Sequence, residues 1–274
     1  MRKCGPEGEN ENNFGTVRAY SDASFNFLRI TIMDNGIYVT LTRQLALFRD
    51  MDATANNIAN ANTTGYDAEH IMFSSYMTKD ASQGVSNPIS FGYDISTYRD
   101  NTAGALKVTG NDLDVAIEGN GYFTVETPLG TRYTRNGSFH IAPDGTMVTA
   151  EGYPVLDSSA QHIVFDESTR SIQIGEGGNL KVNGSDFGNL GVAQFDNPRL
   201  LERLSGSMFK SNIIPQPAQN ARVMQGMLES SNVQPVNELT HMVGLQHAVT
   251  DTAQFIAVVY DLERKAADAW AQQS

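Results

Sequence analysis

The chain has 274 residues and a formal net charge of −12 at pH 7. A surface this acidic repels a phosphate backbone, so we expect no nucleic-acid partner. No stretch reaches the ~18 apolar residues of a membrane helix, which excludes direct membrane insertion, and the one cysteine, Cys4, excludes an intramolecular disulfide and any multi-thiolate zinc site.

Residues 1–32 differ in character from the rest of the chain. They are polar and aperiodic, so we expect a disordered N-terminal extension. Arg2 and Lys3 are followed by polar residues rather than by an apolar core, so the sequence indicates no secretory signal. The change of character at Met33 favours a mis-assigned start, with the working protein beginning there.

The first periodic segment begins at Ile37. Its stripe positions alternate in steps of three and four, and only one of them is charged: Tyr38, Leu41, Leu45, Phe48, Asp52, Ala55 and Ala59. This spacing predicts one long helix with a narrow apolar stripe of the coiled-coil type. Thr63, Thr64 and Gly65 favour its end near residues 62–65, because glycine accepts the left-handed cap conformation.

Residues 67–105 show little periodicity. We interpret them as an extended connector with short strands. The connector contains several aromatic residues, among them Phe73, Tyr76 and Tyr98, which is typical of a segment that lies against a surface.

From Leu106 the apolar period changes to two, which predicts a β-rich domain over residues 106–212. We expect successive antiparallel hairpins, LDVAIE with YFTVE, RYTR with SFHIA, and TMVTA with YPVL. The turns fall at pairs that tolerate positive φ, namely Asn120-Gly121, Asn136-Gly137, Asp144-Gly145 and Asn183-Gly184. Residues 213–224 are interpreted as a return linker.

Helical spacing returns after Pro235, in the same rhythm of threes and fours: Leu239, Met242, Gln246, Val249, Ala253, Ile256 and Tyr260. A narrow stripe cannot be buried by one helix alone, so the two terminal helices are predicted to pack on each other. The predicted fold is mixed α and β. Residues 33–66 and 225–274 form a discontinuous, coiled-coil-like helical domain, with the antiparallel β-rich domain inserted between them.

The sequence offers no convincing catalytic, cofactor or metal site, and we expect a protein that is not an enzyme. The closest histidines, His241 and His247, lack the i, i+4 spacing of a helical zinc site. His140 alternates with Phe139 and Ile141 and is expected to face solvent on a strand. Asp112, Asp114 and Glu118 alternate with apolar residues, which predicts that they lie on the solvent-exposed face of a strand and are not a pair of catalytic carboxylates.

Asparagines accumulate at the end of the first helix, at Asn56, Asn57, Asn60 and Asn62. Each costs a few tenths of a kcal/mol relative to alanine in a helix, so another interaction must offset it. Buried amides that fix the register of a helix interface would do so. A fraying helix end rich in capping residues is the alternative, and the residues alone leave both open.

Three blocks in this order resemble a known family. Asn57-Ile58-Ala59-Asn60 followed by Thr64-Gly65-Tyr66, the segment 109–156, and Gln225-Gly226 with Ser231-Asn232-Val233 are similar to the bacterial flagellar rod and hook axial proteins. The opening segment resembles the proximal rod subunit, and a distal rod protein is the alternative. His247 departs from the family, because many members have arginine at this position, directly after the residue that corresponds to Gln246.

The resemblance implies a structural subunit of the flagellar basal body that assembles helically into the drive shaft and transmits torque. It also implies export by the flagellar type III apparatus without a cleaved signal peptide, other rod proteins and the chain itself as partners, and no cofactor. The assembly interface is expected at Leu41, Leu45, Phe48, Asn56, Asn57, Ile58, Asn60, Thr64, Gly65, Tyr66, Ser231, Asn232, Val233, Leu239, Met242, Gln246, Val249, Ile256 and Tyr260.

The residues alone leave two other functional classes open. A cell-wall hydrolase would need converging carboxylates or a metal in a cleft. A secreted binding module would use the exposed loops of the β-rich domain and would be stable without the terminal helices.

Overall fold

The structure is a computed structural model, and it describes residues 37, 39–78, 89–204, 207–218 and 221–272. The predicted disorder of residues 1–32 lies outside this range, as does Tyr38 of the predicted stripe.

The described residues contain two long helices and seventeen strands, with a 3-10 helix at Pro198–Leu200. Helix α1 covers residues 39–59 and α2 covers Pro235–Ala271. The strands are β1 (Glu69–Thr78), β2 (Ile89–Arg99), β3 (Leu106–Val108), β4 (Val115–Glu118), β5 (Tyr122–Thr127), β6 (Gly130–Thr134), β7 (Phe139–Ile141), β8 (Met147–Thr149), β9 (Ile172–Ile174), β10 (Asn179–Val182), β11 (Ser185–Asn189), β12 (Val192–Gln194), β13 (Glu202–Arg203), β14 (Met208–Lys210), β15 (Gln216–Pro217), β16 (Arg222–Gln225) and β17 (Met227–Glu229).

The chain divides into two compact units. The described part of the first consists of residues 37, 39–48, 73–78, 89–95 and 246–272. The second consists of residues 49–72, 96–204, 207–218 and 221–245. The fold is therefore mixed, with a helix near each end of the described chain and antiparallel strands between them. No helix among the described residues is long and apolar enough to cross a membrane.

The largest sheet has six strands in the order β13-β14-β6-β5-β12-β15. Side chains of β5 alternate between two apolar clusters. Phe123 and Val125 belong to the larger cluster, with Val115, Val155 and Phe165. Tyr122 belongs to a smaller cluster, which also contains Tyr133, Ala193, Phe195, Leu201 and Phe209. Because neighbouring side chains of a strand point to opposite faces, the two clusters lie on opposite faces of this sheet.

Several strands pair differently from the prediction. β4 pairs with β16, and β6 pairs with β5 and β14, so the expected hairpins LDVAIE–YFTVE and RYTR–SFHIA are wrong. The sequence predicts a turn at Gly137, but a Cβ there would lie 1.6 Å from the Val115 carbonyl oxygen, so it is the close approach of β4 that requires glycine. The pairing of TMVTA with YPVL is confirmed by the Val148–Pro154 bridge.

The Asn183-Gly184 hairpin is confirmed. Both residues have positive φ, 52° and 84°, and they join β10 to β11 through the pair Val182–Ser185. This is the conformation that a two-residue hairpin of type I′ requires.

The segments on either side of the β-rich region are more regular than expected. The connector contains β1 and β2, which have ten and eleven residues and pair with each other. Residues 213–224, interpreted as a linker, contain β15 and the start of β16, which pair with β12 and β4. Strand β17 pairs with β3, so the chain enters and leaves the β-rich region on neighbouring strands. Pairings between such distant segments carry no signal in local spacing.

Candidate functional site

Asn57 stands at the centre of a polar junction between α1, β1 and α2. Its side chain is only 1% exposed. The Nδ2 group donates to the Glu69 carbonyl oxygen (2.9 Å) and to Glu238 Oε2 (3.4 Å). Oδ1 accepts from the Glu69 backbone N–H (3.0 Å) and from the Tyr66 hydroxyl (3.3 Å). All the hydrogen-bonding capacity of the amide is therefore used, and a shift of α1 would leave a buried polar group unsatisfied.

Gly65 and Tyr66 form the turn that leads from α1 into β1. Gly65 has φ +64°, and a Cβ there would lie 2.6 Å from backbone atoms of Arg135 and Asn136. Its N–H donates to the Glu229 carbonyl oxygen at 2.9 Å. Tyr66 is buried, and the guanidinium of Arg203 lies over its ring at 4.2 Å. Burial raises the pKa of the Tyr66 hydroxyl above its usual value.

Asn232 attaches the returning chain to the same place. Its Oδ1 accepts from the Ala68 N–H (2.7 Å), and its Nδ2 donates to the carbonyl oxygens of Asp100 and Thr102 (both 2.9 Å). The next residue, Val233, packs with Tyr66 and Ala68 in a small apolar cluster. Ser231 Oγ accepts from the Val233 N–H at 3.2 Å. The N-terminal and C-terminal sequence blocks thus meet, although about 170 residues separate them.

Three ion pairs surround this junction. Arg135 Nε lies 2.8 Å from Glu229 Oε2, Arg99 Nε lies 3.4 Å from Asp67 Oδ2, and Arg203 Nε lies 2.7 Å from Glu69 Oε1. The first two pairs are buried. Removing one partner of a buried pair typically costs about 3–5 kcal/mol, because the other charge stays buried without compensation.

The arginines also contact aromatic rings and backbone carbonyls. Arg99 lies 4.2 Å from the centre of the Phe209 ring and donates to the Pro198 carbonyl oxygen. Arg203 donates from Nη2 to the Asp67 carbonyl oxygen. These contacts join the start of β1 and the end of β2 to the six-stranded sheet.

Burial and charge together shift the pKa values of two groups in the cluster. Burial raises the pKa of Asp67 to about 6, although attraction by Arg99 and Arg135 opposes the shift. Burial lowers the pKa of Arg135, but the charge of Glu229 and the hydrogen bond to it outweigh burial, so the net pKa of Arg135 is raised.

Two polar contacts connect the helices themselves. Besides the contact of Asn57 with Glu238, His241 Nε2 lies 3.3 Å from Asp50 Oδ2. Both contacts join the last turns of α1 to the first turns of α2.

The stripe predicted for α1 is exposed in the structure. Leu41, Leu45 and Phe48 are all exposed, whereas Ala46 and Thr54 are buried like Asn57. The covered positions of α1, residues 46, 50, 54 and 57, lie on the face opposite to the predicted stripe. Each residue advances about 100° around a helix, which puts the two sets about half a turn apart.

The predicted α2 stripe is divided. Met242, Val249 and Ile256 are half-buried, and Leu239, Gln246 and Tyr260 are exposed. Leu245 and Thr252, which the prediction omitted, are buried. Together with the three half-buried residues they form the covered face of α2, at positions 242, 245, 249, 252 and 256, which are again separated by three or four residues.

The remaining predicted positions lie at the end of α1. Asn56 is exposed, and Ile58, Asn60 and Thr64 are half-buried. Asn60 Nδ2 donates to the Asn56 carbonyl oxygen at 2.9 Å, a local contact within the helix end. Of the four clustered asparagines, Asn57 is the buried one.

The charged partners of the junction were missed by the sequence analysis. Asp67, Arg99, Arg135, Arg203 and Glu229 lie in five separate elements or loops, and no spacing rule connects them. The only available signal was Asp67, an acid that directly follows the Gly65-Tyr66 turn.

The acidic strand residues are arranged differently from the prediction in one respect. Asp112 and Glu118 are exposed, but Asp114 is buried and accepts a hydrogen bond from Asn111 Nδ2 at 3.0 Å. The prediction that Asp114 faces solvent is wrong, because both faces of β4 are covered: Val115, Ala116 and Ile117 are all buried. His140 is exposed, as predicted. Within the described residues, no three His, Cys, Asp or Glu side chains are grouped to hold a metal ion.

Three family models match the chain, in the order of the three sequence blocks. The flagella basal body rod protein model matches residues 37–66. The model of the flagellar hook protein FlgE/F/G D1 domain matches residues 116–182. The flagellar basal body rod FlgEFG protein C-terminal model matches residues 224–268. The first match ends at residue 66 and the third begins at residue 224, so both include residues of the junction.

Similar proteins extend over most of the chain. The flagellar basal-body rod protein FlgF of Caulobacter vibrioides is 38% identical over 239 residues, which is 86% of this chain and 98% of the relative. FlgF of Mesorhizobium japonicum is 34% identical and covers 81% of this chain and 91% of the relative. FlgG of Bacillus subtilis is 29% identical and covers 75% and 88%, respectively. This chain therefore belongs to the family of flagellar basal-body rod proteins and is FlgF-like.

Proposed function

We propose that the chain is a structural subunit of the proximal rod, which assembles helically with itself and other rod components and transmits torque. The names of the relatives support a rod role, and two of the relatives above are FlgF proteins. The location that follows is the flagellar basal body, in the part of the rod that spans the periplasm.

The observation that carries this proposal is the exposed apolar surface of both helices. Leu41, Leu45 and Phe48 are exposed on α1, and α2 exposes a larger set: Val236, Leu239, Val243, Phe255, Val258, Tyr260 and Leu262. Isolated soluble proteins rarely expose so many large apolar side chains on two helices. Neighbouring subunits in a helical assembly would cover them, and a contact that does not close on itself produces a filament.

The helices are proposed to pair with each other through their other faces. Ala46, Asp50, Thr54 and Asn57 form the covered face of α1, with steps of three and four residues. The covered positions of α2 follow the same rhythm, which is the pattern of coiled-coil packing. The contacts of Asp50 with His241 and of Asn57 with Glu238 support this pairing at one end.

The junction would make the connection between the end of α1, the start of α2 and the β-rich domain stiff. A subunit that transmits torque needs a stiff connection between its parts. Buried ion pairs and a fully hydrogen-bonded Asn57 resist bending better than an apolar contact, because a small displacement leaves charges and amides without partners.

Export is proposed to proceed through the flagellar type III apparatus without cleavage of a signal peptide. The terminal helices would then be ordered fully only in the rod, so that ordering is coupled to assembly. This part of the proposal rests on family membership.

Replacing Leu45 with aspartate tests the helical assembly. A charge on the exposed stripe of α1 would have to be buried between subunits without a partner, so Leu45→Asp should abolish incorporation into the rod and motility. The amount of the subunit in isolated basal bodies gives the readout, and circular dichroism of the purified chain checks that the β strands stay folded.

The matched control is Arg43→Asp, which places the same side chain at an exposed, polar position of the same helix. It should leave motility near the wild-type level. Normal motility of the Leu45→Asp strain would contradict the proposal.

A further inference from the structure

A cavity lies beside the junction, where the start of β1 and the end of β2 meet the segment from Arg199 to Arg203. We infer that this cavity binds a small organic carboxylate, with the charged group at the two arginines and an apolar group against Met72, Tyr98 and Leu201. The site is formed within one chain, so the inference does not depend on the proposed assembly.

The cavity has the size of a small-molecule site. Its volume is about 680 Å³, and ligand pockets typically measure ~300–1,000 Å³. Leu201 is buried in the lining, whereas Met72 and Tyr98 are exposed. The apolar part of the lining therefore includes both buried and exposed side chains, and a hydrocarbon group of modest size can contact both.

Polar contacts hold the walls of the cavity together. Arg99 donates to the Pro198 carbonyl oxygen, which attaches the end of β2 to the segment that follows. Arg203 donates from Nη2 to the Asp67 carbonyl oxygen, and its Nε lies 2.7 Å from Glu69 Oε1, which attaches β13 to the start of β1. Walls fixed in this way form the cavity before a ligand arrives, so binding costs little conformational entropy.

The charged residues that line the cavity leave one positive charge without a partner. Of the two acids in the lining, Glu69 is paired with Arg203, and Glu202 Oε2 lies 3.8 Å from Lys210 Nζ. Arg199 is exposed and makes no ion pair among the described residues. A ligand with one negative charge would neutralise this excess.

A second arginine of the lining has an unused hydrogen-bond donor. Arg203 Nη1 is buried and has no hydrogen-bond partner in the part of the chain that the structure describes. A buried donor without an acceptor lowers stability, and native structures contain few of them. An oxygen atom of a ligand in the cavity would give this guanidinium the acceptor that the chain does not provide.

The lining favours a carboxylate over a more highly charged anion. The planar guanidinium of arginine matches the two oxygen atoms of a carboxylate. A doubly charged phosphate would be neutralised only in part by Arg199 and repelled by the two glutamates of the lining. The apolar side chains also require an apolar group beside the charge. A free organic acid and the C terminus of a peptide both have this chemistry.

Titration of the purified, full-length chain with benzoate tests the site. Nuclear magnetic resonance of the ¹⁵N-labelled chain should show saturable shifts of the backbone amide signals of residues 69–72 and 96–99. Benzamide has the shape of benzoate without its charge and should bind about tenfold more weakly or less. Inorganic phosphate, which has no apolar group, should also bind more weakly. Tighter binding of N-acetylleucine than of benzoate would identify a peptide C terminus as the source of the carboxylate, and the reverse order a free acid.

Two variants locate the binding. Arg199→Gln removes the unpaired charge and should weaken benzoate binding about tenfold or more, and Ser96→Trp should block the site by filling the cavity. Arg170→Gln is the matched control, since Arg170 is also exposed and without an ion pair in the described chain but does not line the cavity. It should bind benzoate like the wild-type chain.

The site is overturned if benzoate causes no saturable shifts in the wild-type chain, or if it binds Arg199→Gln as tightly as wild type. Undiminished binding to a folded Ser96→Trp chain would overturn it as well. Should Ser96→Trp fail to fold, Arg199→Gln decides, because an exposed side chain is replaced there. Each of these results would leave the proposed rod role intact.

Discussion

Gly65 combines two requirements that only glycine satisfies. Its φ is +64°, and the space where a Cβ would lie is occupied by the backbone of Arg135 and Asn136 at 2.6 Å. Gly65→Ala should therefore lower the free energy of unfolding by the cost of a positive φ, about 1 kcal/mol, plus the cost of displacing that backbone. Urea denaturation of the purified chain measures the sum.

Gly110→Ala separates the two contributions. Gly110 has φ +76°, but nothing lies within 4 Å of its Cβ position. We expect Gly65→Ala to be more destabilising than Gly110→Ala by about 1–3 kcal/mol, the usual cost of overpacking. If both variants lost the same free energy of unfolding, the backbone of Arg135 would not be tightly packed against the turn.

Asp67 gives the junction a dependence on pH. Its pKa is raised to about 6 by burial, so the folded chain holds the proton more tightly than the unfolded chain. The stabilisation is complete below the unfolded pKa of about 4 and is lost as the pH rises through about 6. Relative to Asp67→Asn, the wild-type chain should become more stable by about 1–2 kcal/mol when the pH falls from 7 to 4.5.

Denaturation curves of the two chains across this pH range provide the measurement. Gln161→Ala, an uncharged change at an exposed position, should follow the wild-type curve. If wild type instead loses stability relative to Asp67→Asn as the pH falls, attraction by Arg99 outweighs burial and our sign is wrong.

At the scale of elements, the β-rich domain predicted over residues 106–212 depends on strands that come after residue 212. β16 pairs with β4, and Val223 lies in the same apolar cluster as Val115 and Ile117. β17 pairs with β3 and supplies Glu229, the buried partner of Arg135.

Two fragments without the terminal helices test this dependence. A fragment of residues 104–230 should unfold in one cooperative thermal transition, because it keeps both returning strands. A fragment of residues 106–212 should show a broad transition or none, since β4 lacks a partner and Arg135 is left buried without Glu229. A transition in the shorter fragment that is as sharp, and at the same temperature, would show that β16 and β17 are dispensable.

The elements themselves were largely predictable from the sequence, but their pairings were not. Period-two alternation located β4, β5 and β6, and Asn183-Gly184 defined a hairpin because both residues adopt positive φ. The partners of β4 and β3 lie more than 100 residues further along the chain, so no local turn signal specifies them. The alternation rule failed for Asp114, because both faces of the adjoining strand β4 are covered.

The same limit applies to the candidate site. The asparagine cluster indicated a buried amide, and the structure identifies it as Asn57. The arginines and acids around it were invisible, because an ion pair depends on distances that only the folded chain defines. The predicted stripe of α1 lies on the face opposite to the covered one, and the predicted stripe of α2 shares only part of the covered face. A helix with apolar residues on two faces satisfies more than one heptad assignment.

At the scale of the whole molecule, the three sequence blocks that resemble the family differ in what they build. The blocks around Asn57 and Asn232 build the junction, and the middle block supplies most of the β domain.

The pairing of β3 with β17 places the first and last strands of the inserted segment side by side, about 5 Å apart. Evolution can therefore lengthen, shorten or exchange what lies between these strands while the anchoring points keep their spacing. One scaffold of helices and junction can in this way carry inserted domains of different size.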